Sequence, residues 1–171
     1  MKNLLIISEF RCGSSNLLYA IAKAYGYTAQ FEPDSNKIKK ELKIKDNTVV
    51  KIIVGENTQN INYYTNLISK FDKIILLSRK DFKKQCEAYW ALGNLNNSEW
   101  NKKWHVKDLP INIQTLDSWK IVKSFLSKQK ELLKQISKQS KIQIQYYEDI
   151  YLNKSLEDKS IKLNLDYFDE K

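Results

Sequence analysis

The sequence predicts an α/β fold: a three-layer αβα arrangement around a central, mostly parallel sheet. Three observations predict it. Short apolar runs recur at Leu4–Ile7, Val49–Val54 and Ile74–Leu77, as expected of strands buried on both faces of a parallel sheet. Stretches with helical spacing separate those runs, which calls for right-handed βαβ crossovers. The first run also passes through a glycine-bearing turn into a helical pattern, giving an N-terminal strand–turn–helix of the phosphate-loop kind.

The elements follow in order. After Gly13, residues Leu17, Leu18, Ile21 and Tyr25 trace one helix face, and Gly26 is placed to stop that helix. A second strand should end near Glu32. The third, Val49–Val54, is interrupted by Lys51, whose side chain must escape to an edge, snorkel or face a ligand. Ile61, Tyr64, Ile68 and Phe71 repeat at helical steps, as do Phe82, Cys86, Tyr89 and Trp90, with Asp81 near the latter helix's start and Gly93 at its end. From Asn94 to Gln114 the periodicity lapses, in a stretch carrying Trp100, Trp104, His105 and Pro110. So long a loop suits a lid or acceptor-binding segment. A long amphipathic helix over Thr115 to Gln139 follows, and Ile142, Ile144 and Tyr146 alternate as a last strand before a polar tail.

One domain spanning 1–171 is the economical reading, since the chain has 171 residues, 42% of them hydrophobic, and no repeat or linker. Nothing approaches the ~18 consecutive apolar residues of a membrane helix, and Leu4–Ile7 is too short for a signal h-region of ~7–15. Cys12 and Cys86 fit neither a disulfide framework nor a zinc pattern, so a reducing cytoplasm is the default expectation. The net charge of +9 points to an anionic partner without saying which.

The 29 basic residues include two arginines alone, Arg11 and Arg79, and each follows a predicted strand. Ligands of open parallel sheets bind at the carboxyl ends of strands, and arginine grips phosphate as a planar fork that lysine cannot reproduce. A salt bridge is the plainer alternative for either residue. The turn Arg11-Cys12-Gly13-Ser14-Ser15-Asn16 offers backbone N–H groups and two hydroxyls at a positive helix end, a phosphate cradle in outline. It lacks the Gly-Lys-Ser/Thr of an ATP- or GTP-binding loop. Cys12 precedes no arginine in its own loop, which argues against a phosphatase nucleophile.

Phe10–Leu18 resembles the 5′-phosphosulfate loop of the sulfotransferases, and Asp72–Tyr89 looks like their 3′-phosphate motif, a strand ending in arginine before a helix. Phe31-Glu32-Pro33 is similar to the Phe-Glu-Pro element of the carbohydrate-type and bacterial members, and Ile144–Ile150 to a Tyr-Glu-Asp strand end. The four stretches occur in family order. The resemblance implies a donor, 3′-phosphoadenosine 5′-phosphosulfate, and no metal. It gives Arg11 the 5′-phosphate and the leaving oxygen, Cys12, Gly13, Ser14, Ser15 and Asn16 the phosphosulfate, and Arg79 the 3′-phosphate. To Tyr147, Glu148 and Asp149 it gives a structural role.

The sequence departs from the family where a serine is usual after the 3′-phosphate arginine: Glu87 and Ala88 stand there, so that contact is lost or moved to Ser78 or Lys80. No glycine-rich C-terminal donor loop is present, and the chain is short for the family. For the general base the resemblance favours Glu32, with His105 second because its ordinary pKa suits proton transfer, and Glu56 third. The acceptor is expected to be a small molecule or glycan, the protein able to form a homodimer, and nucleic acid not to be a partner. Two rivals stand beside this reading: a nucleotide or small-molecule kinase on the same sheet, lacking its loop lysine, and a basic nucleic-acid binder, whose lysines should cluster instead of spreading along the chain.

Overall fold

A computed structural model of the chain describes residues 3–31, 46–55, 58–94 and 115–150. Its elements are β1 (Asn3–Ser8), α1 (Ser14–Tyr25), β2 (Thr28–Phe31), β3 (Thr48–Ile53), α2 (Ile61–Ile68), β4 (Lys73–Ser78), α3 (Phe82–Asn94), α4 (Asp117–Ser140), β5 (Ile144–Tyr146) and α5 (Tyr147–Ile150). The strands form one five-stranded sheet in the order β2-β3-β1-β4-β5, and every pairing is parallel. The three-layer α/β prediction therefore holds.

Alternation along β1 explains the layers. Leu4 and Ile6 face α1, where Leu17, Leu18 and Ile21 meet them together with Val49, Ile75 and Leu77. Leu5 and Ile7 face the other way, onto Tyr64 and Leu67 of α2 and Leu132, Leu133 and Ile136 of α4. Fully burying each such side chain is worth about 1.5–3 kcal/mol, and the central strand is apolar on both faces for that reason. A third cluster joins Cys86 and Trp90 of α3 to Trp119, Val122 and Leu126 at the start of α4, with Phe10 packed against it.

Local signals mark the ends of several elements. Gly26 caps α1 in the left-handed region at φ 66, and the Tyr27 N–H returns to the Ala22 carbonyl at 2.9 Å. Asp81 precedes α3 and accepts from the Lys84 N–H at 3.0 Å. The long helix runs from Asp117 to Ser140, close to the interval its periodicity predicts. The last strand is shorter than expected, beginning at Ile144 instead of Ile142, and after Tyr146 the chain turns into a helix at Tyr147–Ile150 before the polar tail. Ile150 explains the change, because it is fully buried in the core beneath α1. Among the described residues, no helix is long and apolar enough to cross a membrane.

Candidate functional site

From β1 the chain leaves towards β2 and β3, whereas from β4 it leaves towards β5. Strand order therefore reverses between β1 and β4, and the crevice beyond their carboxyl ends is where an open α/β sheet receives ligands. Arg11 and Arg79 both lie there. The Arg79 Nη1 group donates to the Arg11 carbonyl at 3.4 Å. Burial first, and then the like charge of Arg79, push the Arg11 guanidinium below its ordinary value. Arg11 nonetheless remains a cation near neutrality. Two converging like charges in a half-buried crevice repel one another, and an anion between them would relieve that repulsion.

The turn after β1 is built for close approach. Arg11 sits at φ 59 and Gly13 at φ 80, and the left-handed region costs a non-glycine residue about 1–2 kcal/mol. Gly13 is the N-cap of α1, so the N-cap residue itself brings no side-chain oxygen to the helix's positive end. Gly13, Ser15 and Asn16 are half-buried, but Cys12 and Ser14 are buried. The Cys12 thiol lies in the core under α1, donating to the Glu9 carbonyl at 3.0 Å. Burial and the neighbouring Glu9 push it up to about 11, which keeps it protonated. It has neither the exposure nor the thiolate character of a nucleophile, and what Cys12 offers a ligand is its backbone.

Lys51 neither snorkels nor reaches a sheet edge. It lies on the α1 face of β3 at 3% exposure and sends its Nζ to the Ser15 Oγ at 3.0 Å and over the Phe31 ring at 4.0 Å. The ammonium missing from the turn's own sequence is thus supplied by the neighbouring strand. Lys130 of α4 donates to the Arg79 carbonyl at 2.7 Å. Nothing in the sequence separates it from the other lysines.

A buried polar network that sequence reasoning missed holds this floor in shape. Glu9, fully buried, accepts from Ser78 Oγ at 3.0 Å and from Gln85 Nε2 at 2.8 Å. Gln85 also donates to the Phe10 carbonyl at 2.8 Å. Gln129 of α4 accepts from the Phe10 N–H at 3.1 Å and donates to the Val54 carbonyl at 2.7 Å. These contacts tie the ends of β1, β3 and β4 to α3 and α4. Ser78 is therefore turned inward to Glu9, and Lys80 pairs with Asp149, so neither side chain is directed as a replacement for the missing serine contact. Glu87 pairs with Lys83 on the α3 surface.

No protein-family model matches this chain, and no curated protein matches it significantly. Glu32, Glu56, His105, Pro33, Trp100, Trp104 and nearly all of the 94–114 segment lie outside the described residues. The site as described therefore consists of Arg11, the turn through Asn16, Lys51 and Arg79.

Glu9 makes a pH prediction. Burial raises its pKa from the ordinary 4.5, against the lowering influence of Gln85, Lys130, Ser78 and Lys134. A carboxyl raised in the folded state binds more protons there than when unfolded, so its contribution is present below the ordinary value and is lost as pH rises through the folded value. Glu9→Gln should remove that slope. Denaturant titrations from about pH 4.5 upward are expected to show wild type losing stability relative to the variant with rising pH. Parallel curves would mean that the carboxyl is not desolvated.

Proposed function

We propose that this chain is a sulfotransferase that moves a sulfuryl group from 3′-phosphoadenosine 5′-phosphosulfate to a hydroxyl or amine of a small-molecule or glycan acceptor. The observation that carries the reading is the convergence of Arg11 and Arg79 at the strand-order reversal, above a turn that enters α1 through a glycine N-cap. A donor with phosphate at both its 3′ and 5′ positions needs two separate anion grips, and these two guanidinium groups are set for them.

The chemistry asks little covalent work of the protein. The sulfur–oxygen bond to the 5′-phosphate breaks, a bond to the acceptor oxygen or nitrogen forms, and the acceptor's proton passes to a base. Positioning and charge stabilisation supply most of the acceleration in such transfers. Arg11 and the N–H groups of residues 13–16 would hold the phosphosulfate and stabilise charge on the leaving oxygen. Lys51, through its contact with Ser15, would add a cation on the acceptor side of the same group. Arg79 would hold the 3′-phosphate. Glu32, His105 and Glu56 remain the candidates for the base.

Adenosine 3′,5′-bisphosphate, the desulfated donor, is expected to stabilise the protein without added magnesium. At a hundred times its dissociation constant the gain is about 2.7 kcal/mol, or roughly 5–10 °C in a chain of this size. Lys51→Met, which keeps the buried stem and deletes the ammonium, should leave that shift nearly intact while lowering turnover about tenfold or more. No shift in the wild type would end the proposal.

Lys51 also favours a second reading, because an ammonium against the turn is what a phosphoryl-transferring kinase needs and the turn's own sequence lacks. Stabilisation by ATP with magnesium, and none by the bisphosphate, would select that alternative.

A further inference from the structure

The segment after β5 does more than close the fold. The Glu148 carboxylate reaches across to the turn that follows β4, accepting from the Lys80 N–H at 2.9 Å through Oε2 and from the Asp81 N–H at 3.1 Å through Oε1. The same Oε1 lies 3.7 Å from Arg79 Nε. The Tyr147 ring sits 5.3 Å from the Arg79 guanidinium carbon, and Lys80 pairs with Asp149. Three consecutive residues of α5 thus grip three consecutive residues of the β4–α3 connection.

We infer that Glu148 is a positioning residue, which holds the Arg79 guanidinium in the orientation that receives the nucleotide's 3′-phosphate. The inference rests on the sulfotransferase reading and adds a residue to it. Arginine carries five N–H donors in a fixed fork. Here the Nε edge lies 3.7 Å from the Glu148 carboxylate, an ion pair without a hydrogen bond, and Nη1 donates to the Arg11 carbonyl, so the carboxylate acts on the guanidinium through charge. Without the carboxylate, the like charge of Arg11 would weaken that pose, since a 3.4 Å contact to a carbonyl and the Tyr147 ring would be left to oppose it. Glu148 fixes the backbone as well as the side chain. Its two amide contacts set the direction in which the turn launches Arg79, and burial against Tyr147 limits the rotamers that remain.

The family resemblance gives this glutamate a structural role, and a purely structural role predicts something different. If Glu148 merely holds the fold together, its loss weakens every nucleotide equally. If it acts through Arg79, the loss falls on the 3′-phosphate alone. Calorimetric titration of the full chain with adenosine 3′,5′-bisphosphate and with adenosine 5′-monophosphate separates the two cases. Wild type is expected to prefer the bisphosphate by at least tenfold. In Glu148→Gln, the bisphosphate should bind about tenfold more weakly while the monophosphate changes less than twofold. In an Arg79→Ala background the same substitution should change neither, because the path of its effect is gone.

Equal losses for both nucleotides in Glu148→Gln, or an undiminished preference for the bisphosphate, would overturn the inference. Should Glu148→Gln fold poorly, Glu148→Asp keeps the charge but shortens the reach, and it must show the same selective loss, in smaller measure. A wild type that binds neither nucleotide, or both alike, would instead remove the sulfotransferase reading and this inference with it.

Discussion

Arg11→Gly should abolish the stabilisation by adenosine 3′,5′-bisphosphate and lower sulfuryl transfer about 10²–10³-fold, without weakening the unliganded protein. The two halves of this expectation have separate causes. On the proposed reading Arg11 faces both the 5′-phosphate and the developing charge on the leaving oxygen, so its loss is felt in the transition state as well as in binding. At φ 59 it also occupies a conformation that favours glycine, and its charge is set against that of Arg79. Relief of both should offset the packing that the arginine stem supplies, leaving the melting temperature of the free protein equal to or above that of wild type. Melting curves with and without the bisphosphate check both parts. A variant that melts normally and still responds to the ligand would take Arg11 out of the site.

Gln129→Ala should damage the fold more than any other single truncation in the buried polar network, at about 3–5 kcal/mol. Gln129 is 1% exposed and bridges the Phe10 N–H and the Val54 carbonyl. Its truncation strands the buried Val54 carbonyl at about 1–3 kcal/mol, removes the partner of the part-buried Phe10 N–H, and opens a cavity between α4 and the strand ends. Against a total stability of about 5–15 kcal/mol, that is enough to leave part of the population unfolded at 37 °C. Gln129→Met fills the space without the hydrogen bonds, so comparing the two variants in urea divides the loss into its packing and polar parts. A loss below about 1 kcal/mol for Gln129→Ala would mean that water takes over both groups.

The layers of this molecule were legible in the sequence because burial imposes a period. Leu4–Ile7 and Ile74–Leu77 read as strands covered on both faces, and all but the half-buried Ile74 are buried. Leu17, Leu18 and Ile21 read as the inner face of a helix, and they pack on the sheet. The two arginines stand out against a background of lysine, and the topology brings them together. What could not be read was the polar interior. Glu9, Gln85 and Gln129 look like surface residues one at a time, and their burial depends on partners on other elements. Tyr147-Glu148-Asp149 looks like a strand end, yet it forms a helical turn because Ile150 has a core to enter. Lys51 is recognisable as an anomaly, but its destination depends on which strand lies beside β1, and local pattern does not carry that information.

The sheet's order also governs the route by which the protein reaches its native state. β1 is the first strand in sequence and the central one in space, paired on one side with β3 and on the other with β4. During synthesis it must therefore wait, apolar on both sides and with no hairpin to shelter it, until partners tens of residues downstream have left the ribosome. Long-range parallel pairing is slow compared with local contacts, and an unpaired apolar strand is a sticky one. Cells making this protein quickly should accumulate more of it in aggregates than cells making it slowly, and chaperones that shield extended apolar segments should raise the yield.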